Sequence, residues 1–202
     1  ISAFTLMTAA LAEEREVAAE ITITTGNDAQ QTMNAPDIPE GTLSADVFGF
    51  DAEQMYAVYS APDVKSIRGA GGRSKVSTND WVQVFGRDGD WILVQYDVKD
   101  SFYRIGYISA KAIPAGMSVP DLNLMNKAAV VTEDANVTDD PLGSQSTLVS
   151  LPIGSHVTQL GTMGDWAYIE GISSEKRFRG FVLRRMLSEA NIVLSMDEAE
   201  QV

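Results

Sequence analysis

The feature that most constrains this chain is that part of it is written twice. Residues 79–96 and 154–169 superpose at an offset of 75, placing Val82 on Val157, Gly86 on Gly161, and Gly89-Asp90-Trp91 on Gly164-Asp165-Trp166. Further along, Arg104-Ile105-Gly106-Tyr107-Ile108 answers Phe178-Arg179-Gly180-Phe181-Val182 with the offset shortened by one. Such a gap belongs in a hairpin loop, where insertions are tolerated. A chain that repeats at this period is built from copies of one small unit rather than from a single large motif. Each copy reads as strands. Trp81, Val82, Val84 and Phe85 are β-formers, Gly86-Arg87-Asp88-Gly89-Asp90 supplies turn residues, and Trp91-Ile92-Leu93-Val94-Gln95-Tyr96 returns as a second strand. Residues 98–101 make another turn before Tyr103-Arg104-Ile105-Gly106-Tyr107-Ile108, and the second copy follows the same plan. Short strands with glycine-rich turns predict a small barrel or sandwich.

The order of apolar strand, Gly-x-x-Gly-Asp-Trp turn, strand, loop and glycine-aromatic-Val/Ile strand resembles the bacterial SH3-like (SH3b) family of the cell envelope. The resemblance implies an all-β protein of two small SH3-like β-barrels in tandem, at 56–113 and 128–187, joined by a linker at 114–127. It places the long first loop of each module at 60–75 and 132–151. The aromatic-acidic signature with which eukaryotic SH3 domains grip proline-rich peptides is not visible, so that mode of recognition is not carried over.

Composition decides what surrounds the repeat. The formal charge of -13 is concentrated at the ends, since 1–55 hold ten acids and one Arg, and 188–202 hold four acids and no base. Both repeat regions are nearly neutral and neither carries a long basic stripe, which argues against duplex nucleic acid as a partner. Residues 1–12 are uncharged, apolar and small, ending in Ala10-Leu11-Ala12 before Glu13-Glu14-Arg15-Glu16. This is the pattern of a signal-peptide core with its cleavage site, and it predicts a secreted or cell-surface protein. No stretch reaches the roughly 20 apolar residues that a membrane span needs. Residues 13–55 read as an acidic flexible leader and 188–202 as a C-terminal tail. The absence of cysteine removes disulfides, thiolate metal sites and a thiol nucleophile together.

Candidate site residues follow from the same frame. Rings in a small barrel can serve the core or a ligand groove; Tyr59, Trp81 and Tyr103 are expected to face outward, with Tyr168 and Phe178 as further groove candidates in the second copy. Trp91 and Trp166, directly after the tight turn, are expected to pack. Lys65, Arg68, Arg73 and Lys75 form a cationic loop around Gly69-Ala70-Gly71-Gly72, suited to carboxylates or phosphates, and Arg177 adds a base in the second copy. The glycine run lacks the Gly-Lys-Ser/Thr ending of a nucleotide loop. The acids Glu133, Asp134, Asp139 and Asp140 lack EF-hand spacing and read as a solvated loop. His156, the single histidine, occupies the repeat position of Trp81, and no nucleophile elbow accompanies it. No catalytic residue, metal or cofactor is assigned. The expectation is a non-enzymatic exported protein that binds cell-wall peptides or polymers; the alternatives are an adaptor for another exported protein or an accessory region of a larger cell-wall enzyme.

Overall fold

The computed structural model describes residues 39–50, 54–78, 81–99, 102–143 and 146–190. The expected signal peptide and most of the acidic leader and tail lie outside these residues. What is described is mostly β-structure. In the first half, β1 (Asp46–Gly49), β4 (Trp81–Asp88), β5 (Trp91–Lys99) and β6 (Phe102–Ser109) form an antiparallel sheet in the order β1-β4-β5-β6, while β2 (Met55–Ala57) and β3 (Lys75–Ser77) make a separate ribbon. In the second half, β7 (Lys127–Val131), β10 (His156–Met163), β11 (Trp166–Ser173), β12 (Lys176–Leu183) and β13 (Leu187–Glu189) are ordered β12-β11-β10-β7-β13. The ribbon of this half is β8 (Ala135–Val137) with β9 (Val149–Leu151). None of these sheets closes into a barrel, in contrast to the expected pair. Single bridges, Tyr59 to Tyr107 and Thr138 to Phe181, attach each ribbon to the outer strand of its sheet. A single bridge gives contact without a continuous ladder.

The repeated residues occupy matching places. Asp88 pairs with Trp91 and Met163 with Trp166, so each Gly-Asp forms a two-residue hairpin loop, the length that suits the twist of antiparallel strands. The Asp90 carbonyl accepts a bond from the Ala110 amide at 2.8 Å and the Asp165 carbonyl from the Arg184 amide at 2.9 Å. Each turn thereby pins the 3-10 turn that ends its own half, Ala110–Ala112 or Arg184–Met186. Gly106 and Gly180 are sites of close approach. A Cβ on Gly106 would lie 2.5 Å from Val58 Cγ1 and 3.0 Å from the Tyr59 carbonyl, and one on Gly180 would lie 2.6 Å from Val137 Cγ1 and 2.9 Å from the Thr138 carbonyl.

The second repeated glycine admits a different neighbour. Register shifts mark β-bulges at Gly86 and Gly161, and against each bulge lies a segment from elsewhere in the chain. Residues 120–122 lie along β4, where Arg87 donates to the Pro120 carbonyl at 2.8 Å and Leu122 donates back to the Arg87 carbonyl at 2.8 Å. Residues 41–43 lie along β10 in the second half, where Thr162 donates to the Gly41 carbonyl at 2.7 Å and Leu43 donates to the Thr162 carbonyl at 3.0 Å. The segment preceding the first half therefore docks on the second, and the segment preceding the second docks on the first. The supposed linker and the described end of the supposed leader are both packed structure.

Burial completes this picture. Val82, Val84, Ile92, Val94 and Ile108 centre one core, while Val131, Val137, Val157, Ile169, Phe178 and Val182 centre another. A third cluster joins Leu93, Ile105 and Tyr107 of the first half to Leu160, Tyr168 and Phe181 of the second, with Leu43 from the docked arm. The halves share an interior, and the described residues fall in one compact unit rather than two beads on a linker.

Candidate functional site

The long loop of the first half is tied down by its own polar groups. Asp63 accepts from the Lys65 amide at 2.8 Å, and Ser66 exchanges bonds with the main chain of Ala61, at 3.3 Å from the amide and 3.2 Å to the carbonyl. Arg68 donates through Nε to the Val58 carbonyl at 3.1 Å and through Nη2 to the Ser74 carbonyl at 2.6 Å, which staples the two ends of the loop. Its guanidinium lies 5.1 Å from the centre of the Tyr59 ring, which meets Trp91 edge-on at 5.2 Å. The loop leans on the other half of the molecule. The Ile67 amide donates to the Arg177 carbonyl at 3.0 Å and its side chain packs on the second core.

A groove of about 790 Å³ opens where this loop meets the β11–β12 turn, lined by Val64, Lys65, Arg68, Gly71, Gly72 and, opposite, Ser174, Glu175 and Lys176. Its electrostatics differ from the rest of the chain. Residues 63–75 and 174–177 hold six of the chain's 15 Lys and Arg, against two acids. The backbone differs too. Ala70 at φ 52°, Ser174 at φ 48° and Glu175 at φ 65° are the non-glycine residues with positive φ among the described residues; the last two line this groove, and Ala70 precedes its Gly71. At Ser174 and Glu175 this is the geometry of the two-residue hairpin turn between the paired Ser173 and Lys176, which needs positive φ at both loop positions.

Five of the nine sequence-selected residues meet here. Lys65 and Arg68 line the groove, Arg73 and Arg177 stand beside it with exposed side chains, and Tyr59 lies under Arg68. Tyr103 is elsewhere, half-buried on β6 opposite Asp97, and Trp81 begins β4 opposite Gly49. Tyr168 and Phe178 are corrected to core positions, at 2% and 0% exposure. The reason is that both faces of β11 and β12 are covered. Ala167 and Ile169 point into the second core while Tyr168, on the opposite face, enters the interior shared with the first half and packs on Phe181, the ring centres 4.8 Å apart and the planes tilted by 38°. Trp91 and Trp166 are half-buried against that same shared interior. Lys176, at the start of β12 and adjacent to Arg177 in the sequence, is a further lining base outside that set.

Other polar clusters hold the halves together. Arg179 donates to Asp88 of the first half and Glu170 of the second, each at 2.7 Å, and to the Tyr107 hydroxyl at 2.5 Å. Burial pushes the Tyr107 hydroxyl above its ordinary range, with Arg179 pulling the other way. The acidic loop is not solvated as a whole. Asp139 and Asp140 are buried, the former taking a short bond from the Ser146 hydroxyl and facing Arg104 at 3.8 Å, the latter receiving the Gly143 amide at 2.8 Å. Burial raises the Asp139 carboxyl, opposed by Ser146 and Arg104, and it pushes the Tyr96 hydroxyl up to about 12. Glu133 instead pairs with Arg185 at 2.8 Å and Asp134 accepts the Ile153 amide at 2.9 Å. Among the described residues no group of acids or His is gathered as metal ligands would be. His156 is exposed at the start of β10, opposite Val130. Two smaller hollows of about 540 and 530 Å³ lie at matching places beside Asp90 with Lys111 and Asp165 with Arg185, and neither gathers the selected residues.

No family model matches the sequence, and no curated protein matches it. Among solved structures it is similar to NlpC2 and NlpC1 from Trichomonas vaginalis, each at 14% identity and a TM-score of 0.30. The matches cover 73% and 75% of this chain and 49% and 52% of theirs, so this chain spans about half the length of each. A likeness of that size carries no argument about what this protein does.

Proposed function

We propose that the protein is an exported, non-enzymatic binding protein of the bacterial cell envelope, whose junction groove takes anionic groups of cell-wall peptides or polymers. We read the two halves as SH3b-like modules that have fused through a common interior. The Gly-Asp-Trp turns, the matching bulges and the glycine-aromatic strands support that reading. The observation that carries the function is a groove lined by Lys65, Arg68 and Lys176, between two stretches that hold six bases against two acids in an otherwise acidic chain. Cations gathered over low-dielectric walls raise the local concentration of anionic ligands. The turn, strap and core roles found for Asp90, Arg68, Tyr168 and Phe178 account for these residues without chemistry on a substrate.

Sedimentation with purified peptidoglycan sacculi tests this. The protein is expected in the pellet at low ionic strength and in the supernatant at high salt, because exposed charges are screened within about 8 Å at physiological strength. Protein that stays in the supernatant under both conditions, or that pellets only with another exported protein present, overturns the wall reading.

A further inference from the structure

We infer that the groove selects a linear polymer of phosphodiester or polyphosphate type, in preference to a single carboxylate; this rests on the anion-binding reading above and names its ligand class. Tight capture of one carboxylate calls for a guanidinium fork aimed into the site. Arg68 is the guanidinium lining this groove, and the Nε and Nη2 edge of its fork is committed to the Val58 and Ser74 carbonyls. Arg73 is turned back as well, its Nε donating to the Ala70 carbonyl at 3.3 Å.

What faces the opening is of another kind. Lys65 on one bank and Lys176 on the other are exposed ammonium groups on long stems, and the exposed Arg177 follows Lys176 in the chain. Lysine binds phosphate oxygens as a point charge and needs no fork geometry. Each such contact is weak alone, but contacts along a polyanion add, because every neutralised charge releases condensed counterions. The floor suits a chain as well. Ideal Cβ positions on Gly71 and Gly72 meet nothing within 4 Å, so that side of the groove is open and a polymer can run past it without an end to be enclosed. The two lysines come from different halves, held in register by the Ile67 to Arg177 bond, so the paired banks exist because the halves are fused.

Binding of fluorescent polyphosphate of graded length to the full chain, at several salt concentrations, tests this. Affinity should rise with chain length, fall as salt rises, and exceed that for polygalacturonate of matched length. The double variant Lys65→Gln/Lys176→Gln should bind at least about tenfold more weakly and lower the salt slope by about one per lysine removed. Lys111→Gln, remote from the groove, should bind as the parent does. Pyrophosphate binding as tightly as long chains, polygalacturonate binding equally well, a duplex oligonucleotide binding more tightly, or equal losses in the groove and Lys111 variants would each overturn the inference. The two readings fail separately. Polyphosphate binding without retention on sacculi removes the wall ligand and leaves the ligand class, whereas retention on sacculi indifferent to Lys65 and Lys176 does the reverse.

Discussion

Gly106 and Gly180 show what a sequence repeat can and cannot disclose. Their recurrence in a glycine-aromatic strand is legible without coordinates, but its cause is not, because Val58 and Val137 lie more than forty residues upstream. A Cβ at Gly106 would fall 2.5 Å from one methyl of Val58 and 3.0 Å from main chain at Tyr59. The methyl can rotate away, but the carbonyl is held by the Tyr59 to Tyr107 bridge. Gly106→Ala is therefore expected to cost about 1–3 kcal/mol, the usual range for overpacking, in urea denaturation. Gly49→Ala is the comparison, since nothing lies within 4 Å of its Cβ position, and it should cost less. Asp139 provides a second test at this scale. Its carboxyl is raised by burial, so the folded state holds the proton more strongly than the unfolded chain. Its contribution to stability is present in acid and is lost as pH rises through the elevated value. The melting temperature of the parent minus that of Asp139→Asn should accordingly be more positive at about pH 4 than at about pH 7. A difference that does not change with pH would mean that Arg104 and Ser146 fully offset the burial.

Among the elements, the hairpins were legible and the arms were not. Runs of β-formers around Gly-Asp-Trp announce β4, β5, β10 and β11 directly. Residues 41–43 and 120–122 carry no such pattern, since they dock through main-chain bonds to Thr162 and Arg87, and a backbone bond leaves no side-chain signature. The buried Leu43, at 7% exposure, was the trace available within a segment that otherwise reads as polar leader. Its contacts lie in the shared cluster, beside Gly161 of the other half. Leu43→Ala should destabilise the protein by about 2–4 kcal/mol, and amide exchange should show protection lost along β10, which is distant in sequence, before it is lost in β2 and β3. The groove follows the same division. Its cationic loop could be read from composition, but its second bank could not, because nothing local says that 60–75 packs against 174–177.

For the molecule as a whole, the shared interior changes what duplication can mean. Tandem modules on a flexible linker gain from two independent weak sites held at high effective concentration. Here the halves cannot move independently, because Leu93, Ile105 and Tyr107 pack with Leu160, Tyr168 and Phe181, and Arg179 ties Asp88 to Glu170 across them. Single-sequence reasoning assigns each amphipathic strand one buried and one solvent face, which is right for an isolated module and wrong wherever the second face meets the other copy. Tyr168 is such a residue, its face meeting the first half where a lone module would expose it. The same contacts predict the unfolding behaviour. If each half were held by its own core alone, Phe181→Ala would melt the second half and leave the first intact. Because Phe181 lies wholly buried in the common cluster, its truncation, worth about 3–5 kcal/mol, should lower one cooperative transition for the entire unit. Tryptophan fluorescence, which reports on both halves, and far-UV circular dichroism should then give coincident curves in parent and variant alike. Two separated transitions, with exchange protection of β4–β6 surviving the first, would show that the halves stand as separate modules and that the two-banked groove is not a fixed feature of the fold.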